Sequence, residues 1–365
     1  MKRLAHLDVL RLVSVALVMY GHFVLVAGGA KVIPNIIGPT VALPLIDESR
    51  WKAYLFEVFL IEKCSTQAAI LGVSLFFLIT GYLMPMMCER YSRLQFIVNR
   101  LFRIVPTLIV GVLALGVFLQ QTQGIAFTLA SHLASITLTY EYLEITPVAG
   151  VLWTLVIEMV FYFLAFLVGR FTLGKLVFVQ GALLALVCAG SLSKGQTLVW
   201  LIGYQARYLL MITIGSAFYL AEKEESLLEK ISTVLPAIVF SFVGFQLFKN
   251  GGAPSSSYEN LGNLLLASAI FVFFTAGVSP FVRRLPVVIG LVADMVYPIY
   301  LVHSAVGLVF IAFLRNSFDG PYALLFAAIA SSLVVAFVLH ALVETPGINL
   351  GRKAVRALKA RTASA

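Results

Sequence analysis

Hydrophobic runs long enough to cross a membrane follow one another along nearly the whole chain. A transmembrane helix needs roughly 20 mostly apolar residues to span a hydrocarbon core about 30 Å thick. The chain has ten runs near that length, and it has no internal repeat or linker that would separate soluble domains. This pattern predicts an all-α, polytopic bundle of about ten transmembrane helices, forming a single integral-membrane domain over residues 1–365. The runs are centred near residues 7–29, 66–88, 104–120, 149–169, 176–192, 198–220, 231–248, 261–280, 287–313 and 322–344.

The composition excludes an ordinary soluble protein. Hydrophobic residues make up 61% of the chain, charged residues only 12%, and the mean hydropathy is +0.99. Soluble domains average about 25% charged residues. The three cysteines, Cys64, Cys88 and Cys188, lie on separate segments without the spacing of a disulfide framework or a zinc site. We therefore expect small buried thiols and no metal site.

Lysine and arginine residues predict which way the bundle faces. An even number of helices places both termini on one side, and these basic residues are enriched on the cytoplasmic side. With a cytoplasmic N-terminus, that side carries 17 of them and the opposite side 7. We therefore predict an N-in, C-in topology. The net charge of +9 is mostly a sign of that topology and indicates no nucleic-acid partner.

Three segments need an interpretation of their own. The start "MKR" and the later "VAGGA" resemble a signal peptide, but Arg11 and His22 interrupt the apolar run, so we expect a retained first helix. Residues Gln120–Pro147 are too apolar for a free loop and suggest a re-entrant or interfacial segment. The stretches Lys31–Ser65 and Lys249–Asn260 are expected to be exposed, the second by its Gly, Pro and Ser content.

The first helix carries ionisable side chains that are costly in a bilayer and usually face a bundle interior or a watery cavity. Arg11 and His22 are eleven residues apart, which leaves them only about 20° apart around a helix and roughly 16 Å apart along it. Asp8 precedes Arg11 by three residues, where an ion pair can form. The alternatives are an interfacial anchor for Arg11 and a structural hydrogen bond for His22.

The fourth run places Glu158 deep in an apolar helix. Thr154, Glu158 and Tyr162 follow at four-residue steps and form one stripe. A buried carboxylate needs a cation or hydrogen-bond donors. We expect His22 to be its partner, because a histidine held by a carboxylate has a fixed tautomer and greater basicity. A Glu158 satisfied by backbone or hydroxyl donors is the structural alternative.

The ninth run repeats polar side chains every three residues. Asp294, Tyr297, Tyr300 and His303 wind round one broad side of a helix that Pro298 is placed to kink. Tyrosine and histidine at this spacing favour a site, with an aromatic belt at the membrane interface as the alternative.

Four arginines follow the second run in an expected cytoplasmic loop. Arg100 and Arg103 are one helical turn apart, and paired guanidinium groups suit phosphate oxygens. The alternative is ordinary positive charge on the cytoplasmic side.

Six short stretches in order along nearly the whole chain carry a resemblance to one family. They are "LDVLR…YGH", "FFLITGYLM", "NRLFRIVP", "LWTLVIEMVFY", "YPIYLVH" and "VETPGINLGRK". On these stretches the chain resembles the acyltransferase 3 family, integral-membrane enzymes that move acyl groups, commonly acetyl from acetyl-CoA, onto cell-surface sugars and related acceptors. The departures from the family's patterns are mild and lie at Thr80, Tyr82, Thr154, Val296 and Ser304.

The resemblance implies an O-acyltransferase of the bacterial inner membrane. Its donor is expected to be cytoplasmic acetyl-CoA or another acyl-CoA, and no cofactor is expected to be bound permanently. Its acceptor would be a hydroxyl of a cell-surface or exported polysaccharide, or of the lipid-linked precursor. The other expected partners are membrane lipids and polysaccharide-synthesis machinery. Some members of the family carry a fused extracytoplasmic domain, but this chain ends soon after the tenth run, so we expect none here.

The resemblance also implies roles for individual residues. His22 is the expected general base or transient acyl acceptor, and Glu158 orients it or balances its charge. Arg11 is expected to steady the thioester arm or the oxyanion. Arg100 and Arg103 are expected to bind the CoA phosphates. The remaining candidates are expected to line the cavity: Asp8, Thr154, Tyr162, Tyr300 and His303.

Two other functions remain open from the sequence. Buried Asp, Glu, His and Arg are also the parts of a proton-coupled transporter, although transporters of many folds show internal repeats that this chain lacks. A non-enzymatic subunit of a polysaccharide-export complex is the third hypothesis.

Overall fold

The computed structural model consists of helices and turns, with no β-strand among the residues it describes. It describes residues 4–27, 54–193, 197–250, 257–278, 286–314, 317 and 321–363. The helices are α1 (Ala5–Ala27), α2 (Tyr54–Cys64), α3 (Ala68–Arg90), α4 (Arg93–Gln123), α5 (Leu129–Thr137), α6 (Leu152–Val168), α7 (Leu173–Leu192), α8 (Leu198–Ala221), α9 (Leu227–Asn250), α10 (Leu261–Val272), α11 (Val287–Asp294), α12 (Val296–Leu314), α13 (Pro321–Leu339) and α14 (Thr345–Ala363). The described residues also include a 3₁₀ turn at Ser257–Glu259 and π-helical turns at Phe273–Val278 and His340–Glu344.

Threonine side chains begin three of these helices. The hydroxyls of Thr128, Thr172 and Thr197 accept a hydrogen bond from the backbone N–H three residues later, at the starts of α5, α7 and α8. Such caps satisfy an N–H group that has no partner inside the helix. Helix α5 ends at Leu138, whose φ of 58° is left-handed and stops the helical hydrogen-bond pattern.

The chain forms two compact units. The first comprises Met1–Ser14, Leu60–Ile97 and Ile157–Leu285. Its central helix is α8, which packs against α3, α7 and α9, while α10 packs against α3. Buried polar side chains link these helices: Gln180 Nε2 donates to Thr213 Oγ1 at 3.0 Å, and Ser216 Oγ donates to the carbonyl of Gly81 at 2.8 Å.

The second unit comprises Val15–Phe59, Val98–Val156 and Pro286–Ala365. Helices α12 and α13 pack along each other, and α13 continues through the π-helical turn into α14. Close approaches at glycines bring other helices against them. A Cβ on Gly111 of α4 would overlap the side chain of Leu301 in α12, and one on Gly307 of α12 would overlap the ring of Phe23 in α1.

The predicted helical membrane bundle is confirmed. Nine helices among the described residues are long and apolar enough to cross a membrane, and α6 is a shorter apolar helix. These ten segments coincide with the ten predicted runs. Most of Lys31–Ser65 and half of Lys249–Asn260 lie outside the described residues. The segment Gln120–Pro147 contains the nine-residue helix α5 followed by turns.

Two element boundaries differ from the predictions. The run 287–313 is divided at Met295 into α11 and α12, because Pro298 cannot donate a backbone hydrogen bond and its ring crowds the carbonyl four residues earlier. The predicted arginine loop is wrong: only residues 91–92 interrupt the helices, so Arg100 and Arg103 lie within α4.

Candidate active site

A pair of histidines from α1 and α12 forms the centre of the candidate site in the second unit. His22 Nδ1 lies 2.8 Å from His303 Nε2, and the two rings are parallel to within 3°. His303 is fully buried, whereas His22 is partly exposed. The ring of Phe23 packs edge-on against His303, and Gly307 leaves the space for it. The Phe23 ring and the contact with His22 thus fix the imidazole of His303.

The hydrogen bonds of His303 determine which nitrogen of His22 is basic. His303 Nδ1 lies 2.8 Å from the carbonyl oxygen of Tyr300 and 3.2 Å from that of Ile299. Carbonyl oxygens only accept, so Nδ1 of a neutral His303 carries the proton and its Nε2 is an acceptor. His22 Nδ1 therefore donates to His303, which leaves the lone pair of His22 on Nε2.

Polar side chains on one side of helix α12 form hydrogen bonds to three neighbouring helices. The Tyr297 hydroxyl donates to the carbonyl of Ile104 in α4 at 3.2 Å, and Tyr300 is hydrogen-bonded at 2.8 Å to Thr154 at the start of α6. His303 is bonded to α1 through His22. The three-residue spacing seen in the sequence therefore distributes these side chains over three helices, which positions His303 firmly.

Glu158 is held by hydroxyl groups in the first unit. Thr80 Oγ1 donates to Glu158 Oε1 at 3.2 Å, and the Tyr162 hydroxyl donates to the same oxygen. Glu158 is thus satisfied by hydroxyl donors, as in the alternative in which its role is structural. The sequence predicted a bond between His22 and Glu158. In the structure His22 is bonded to His303, and Glu158 is bonded to Thr80 and Tyr162.

The ion pair predicted on α1 is confirmed. Arg11 Nη1 lies 2.8 Å from Asp8 Oδ1, with both side chains at least partly buried. Arg11 lies on the same continuous helix as His22. Among the described residues, no group of three or more His, Cys, Asp or Glu side chains is placed to hold a metal ion.

Arg100 and Arg103 lie one turn apart on α4, and both are partly exposed. Their segment is held from α12 by the Tyr297 hydrogen bond and from α14 by close packing: a Cβ on Gly347 would come within 2.9 Å of the Phe102 carbonyl oxygen. The arginine pair is therefore carried by a fixed helical turn.

The comparison with known proteins identifies the family. The model of the acyltransferase 3 family, described as an acyltransferase domain, matches residues 4–341. The chain belongs to the acyltransferase 3 family. An exopolysaccharide production protein, ExoZ of Rhizobium meliloti (strain 1021), is 31% identical over 296 residues, which cover 77% of this chain and 90% of that protein. No solved structure gives a significant match.

Membership of the acyltransferase 3 family and the apolar helices show a multi-pass integral membrane protein. The region shared with the family contains the histidine pair and the arginines of α4, since it runs from residue 4 to 341. Glu344 lies just beyond it.

A histidine and a glutamate that follow α13 form a pair to which the sequence prediction gave no role. His340 Nδ1 lies 2.6 Å from Glu344 Oε2, and Glu344 is only 1% exposed. The signal was present, because two ionisable residues four apart at the end of an apolar run are unusual.

Arg207 in α8 is a second residue that the sequence prediction did not include. It is 1% exposed, and its Nη1 lies 3.9 Å from Glu259 Oε1. A single arginine inside an apolar run is again a visible signal. Its guanidinium lies over four aromatic rings, which belong to Tyr204, Tyr208, Phe245 and Phe248.

Proposed function

We propose that this protein is a membrane O-acyltransferase of the bacterial inner membrane. It moves an acyl group, with acetyl as the first choice, from cytoplasmic acyl-CoA to a hydroxyl of a cell-surface or exported polysaccharide or its lipid-linked precursor. Family membership supports the acyl transfer. The name of the relative ExoZ, an exopolysaccharide production protein, supports a polysaccharide acceptor.

The observation that carries the proposal is the hydrogen-bond series from the Tyr300 carbonyl through His303 to His22. It fixes the tautomer of a partly exposed histidine so that the Nε2 lone pair is available. A general base needs that combination of access, orientation and a free lone pair. A histidine with only a structural role would not need its second nitrogen left open.

In the proposed reaction, His22 Nε2 takes the proton of the acceptor hydroxyl while the hydroxyl oxygen attacks the carbonyl carbon of the thioester. The C–S bond breaks, and the CoA thiolate leaves with the proton that His22 returns. In the second form of the reaction, Nε2 attacks the thioester carbon first and the C–S bond breaks to release the CoA thiolate. The acceptor hydroxyl then takes the acyl group from Nε2, and its proton goes to the thiolate. Both forms use the same lone pair.

The charged residues support this reaction from the donor side. Arg11 steadies the thioester arm or the developing oxyanion, and Asp8 holds Arg11 in place. Arg100 and Arg103 bind the CoA phosphates at the cytoplasmic side. Glu158, which is bonded by Thr80 and Tyr162 in the first unit, remains a candidate catalytic residue of the proposal. The CoA polyanion thereby stays outside the bilayer while its slim acyl arm enters.

Replacement of His22 tests the proposal directly. In His22→Ala, we expect transfer of labelled acetyl from acetyl-CoA to fall to background, because no other group takes the hydroxyl proton. The acceptor in this assay is surface polysaccharide extracted from a strain lacking the gene. The matched control is His132→Ala on α5, which should keep its activity because His132 Nδ1 is bonded to the carbonyl of Thr128 in its own segment.

The same assay separates the rival functions. An acyltransferase releases CoA in proportion to added polysaccharide. A proton-coupled transporter or a non-enzymatic export subunit releases none. Full activity in His22→Ala, with the variant inserted at the normal level, would overturn the proposed role of His22.

A further inference from the structure

We propose that Glu344, held by His340, is a positioning residue that sets the guanidinium of Arg103 for the phosphates of acyl-CoA. This inference rests on the proposed function, in which Arg103 binds those phosphates. It concerns residues of the second unit, and Glu344 lies outside the part of the chain that matches the family model.

Helix α14 brings Glu344 to the arginine segment of α4. Gly347 and Gly351 follow Glu344 by three and seven residues, so all three lie on one face of a continuous helical segment. A Cβ on Gly347 would come within 2.9 Å of the Phe102 carbonyl oxygen, and one on Gly351 within 2.7 Å of the Phe102 Cβ. Only glycine permits so close an approach of the two helices. The face that carries Glu344 therefore packs against the residue that directly precedes Arg103.

One oxygen of the Glu344 carboxyl group is hydrogen-bonded, and the other has no hydrogen-bond donor among the described residues. Oε2 lies 2.6 Å from His340 Nδ1. Oε1 is fully buried and has no hydrogen-bond partner among the described residues. A buried carboxylate oxygen without a donor is costly, so its presence points to a donor that approaches in another state of the protein.

Arg103 is the cation that matches this oxygen. It interacts electrostatically with Glu344, and its side chain is partly exposed, so part of it is open to solvent. A guanidinium has five N–H donors arranged as a fork. One edge can bond Oε1 of Glu344 while another remains for a phosphate. Holding the long side chain in this way reduces the entropy lost when the phosphate binds.

His340 fixes Glu344 in turn. Its other ring nitrogen, Nε2, lies 3.3 Å from the Thr345 hydroxyl, so the imidazole is held on both sides by the π-helical turn and the first residue of α14. Asp294, at the end of α11, adds a second negative charge that interacts with Glu344. Glu344 thus interacts with a cation and with a second acidic side chain at this end of the second unit.

A double-mutant cycle on the full-length purified protein tests the inference. The measured quantity is the dissociation constant of acetyl-CoA by titration calorimetry, which requires no acceptor. Arg103→Gln should weaken binding roughly tenfold, because a charge-assisted bond to phosphate is lost. Glu344→Gln should weaken it about fivefold through the loss of positioning. In the double variant we expect the dissociation constant of Arg103→Gln alone.

Two further variants make the test specific. His340→Ala keeps the carboxyl group of Glu344 but removes its bond, and it should weaken binding less than Glu344→Gln does. Glu225→Gln removes an exposed carboxylate in the turn before α9 and should leave the dissociation constant unchanged. If Glu344→Gln does not accumulate, Glu344→Asp takes its place in the cycle with a smaller expected effect in the same direction.

The outcomes distinguish this inference from the function on which it rests. Unchanged binding in Arg103→Gln would overturn the proposed phosphate contact itself. Weakened binding in Arg103→Gln with normal binding in Glu344→Gln would overturn the positioning role alone. Additive effects in the double variant would also overturn it, since a purely structural Glu344 would act independently of Arg103. A lower thermal midpoint in Glu344→Gln without a change in the dissociation constant of acetyl-CoA would likewise overturn the positioning role.

Discussion

His303 gives His22 an orientation without adding a charge. In many enzymes a carboxylate holds the histidine base, which makes the imidazole more basic but requires a buried anion. Here the acceptor is the neutral Nε2 of another histidine, whose own proton is bound by the Tyr300 carbonyl. Burying a neutral acceptor costs far less than burying a carboxylate. The arrangement therefore suits a site formed between apolar helices.

His303→Phe should lower the turnover number by about two orders of magnitude, which is within the usual contribution of a general base. Phenylalanine fills the volume but accepts no hydrogen bond, so His22 loses its fixed tautomer while the CoA contacts remain. We expect the KM for acetyl-CoA to change little. Initial-rate kinetics with labelled acetyl-CoA measure both constants.

His132→Phe is the matched control, because His132 also bonds a carbonyl of its own helix but lies on α5. It should retain near-normal kinetics. A normal turnover number in His303→Phe would show that His22 needs no partner at Nδ1.

Among the elements of the first unit, α3 and α8 are packed so closely that their backbones touch. A Cβ on Gly81 would overlap the carbonyl of Ile212, and one on Gly215 would overlap that of Leu78. Close approach through small residues is the usual way for helices to associate in a membrane, where burying apolar surface gives little gain. The hydroxyl of Ser216, which donates to the Gly81 carbonyl, adds a polar bond at the same crossing.

Gly215→Ala should lower the stability of the protein by about 1–3 kcal/mol, the usual cost of overpacking, because backbone atoms would have to move. The sign of the effect is informative, since alanine otherwise favours a helix over glycine. The measurement is the thermal midpoint of the purified protein in detergent.

Gly181→Ala on α7 is the control, because nothing lies within 4 Å of the added Cβ there. Its thermal midpoint should be unchanged or higher. Equal midpoints for the two variants would contradict the close crossing of α3 and α8.

At the scale of the whole molecule, charge placement determines the expected orientation in the membrane. The basic face of α14, which includes Arg352, Lys353 and Arg356, is exposed and follows the apolar helix α13. Clusters of basic residues beside a transmembrane helix are retained on the cytoplasmic side. The predicted N-in, C-in topology would thus place α14 and the arginines of α4 on the side where acyl-CoA is available.

Single cysteines at two positions test this topology. In a variant with the native cysteines replaced by serine, Lys249→Cys should react with a membrane-impermeant thiol reagent in intact cells. Lys353→Cys should react only after the cytoplasmic membrane is opened. Both positions are exposed in the structure, so access through the membrane decides the result. The reverse pattern would show that the orientation is inverted.

Much of the fold and part of the site follow from local features of the sequence. The ten apolar runs, the Asp8–Arg11 pair and the polar side of α12 depend on helix length and on spacing along one helix, both of which are set by the α-helical repeat. The partner of a buried polar group depends on contacts between helices, which no spacing reveals. For that reason Glu158 was expected to hold His22, whereas its bonds go to Thr80 and Tyr162.

The sequence by itself therefore determined the class of protein, the membrane segments and the candidate residues, because hydrophobicity and helical periodicity are local properties. The tertiary structure decided which residues meet. It placed His303 beside His22, extended α4 through the arginine pair, and brought Glu344 to that helix by the glycines of α14. The physical reason is that helices in a membrane choose their neighbours by close packing and a few polar bonds, which are properties of surfaces distant in the chain.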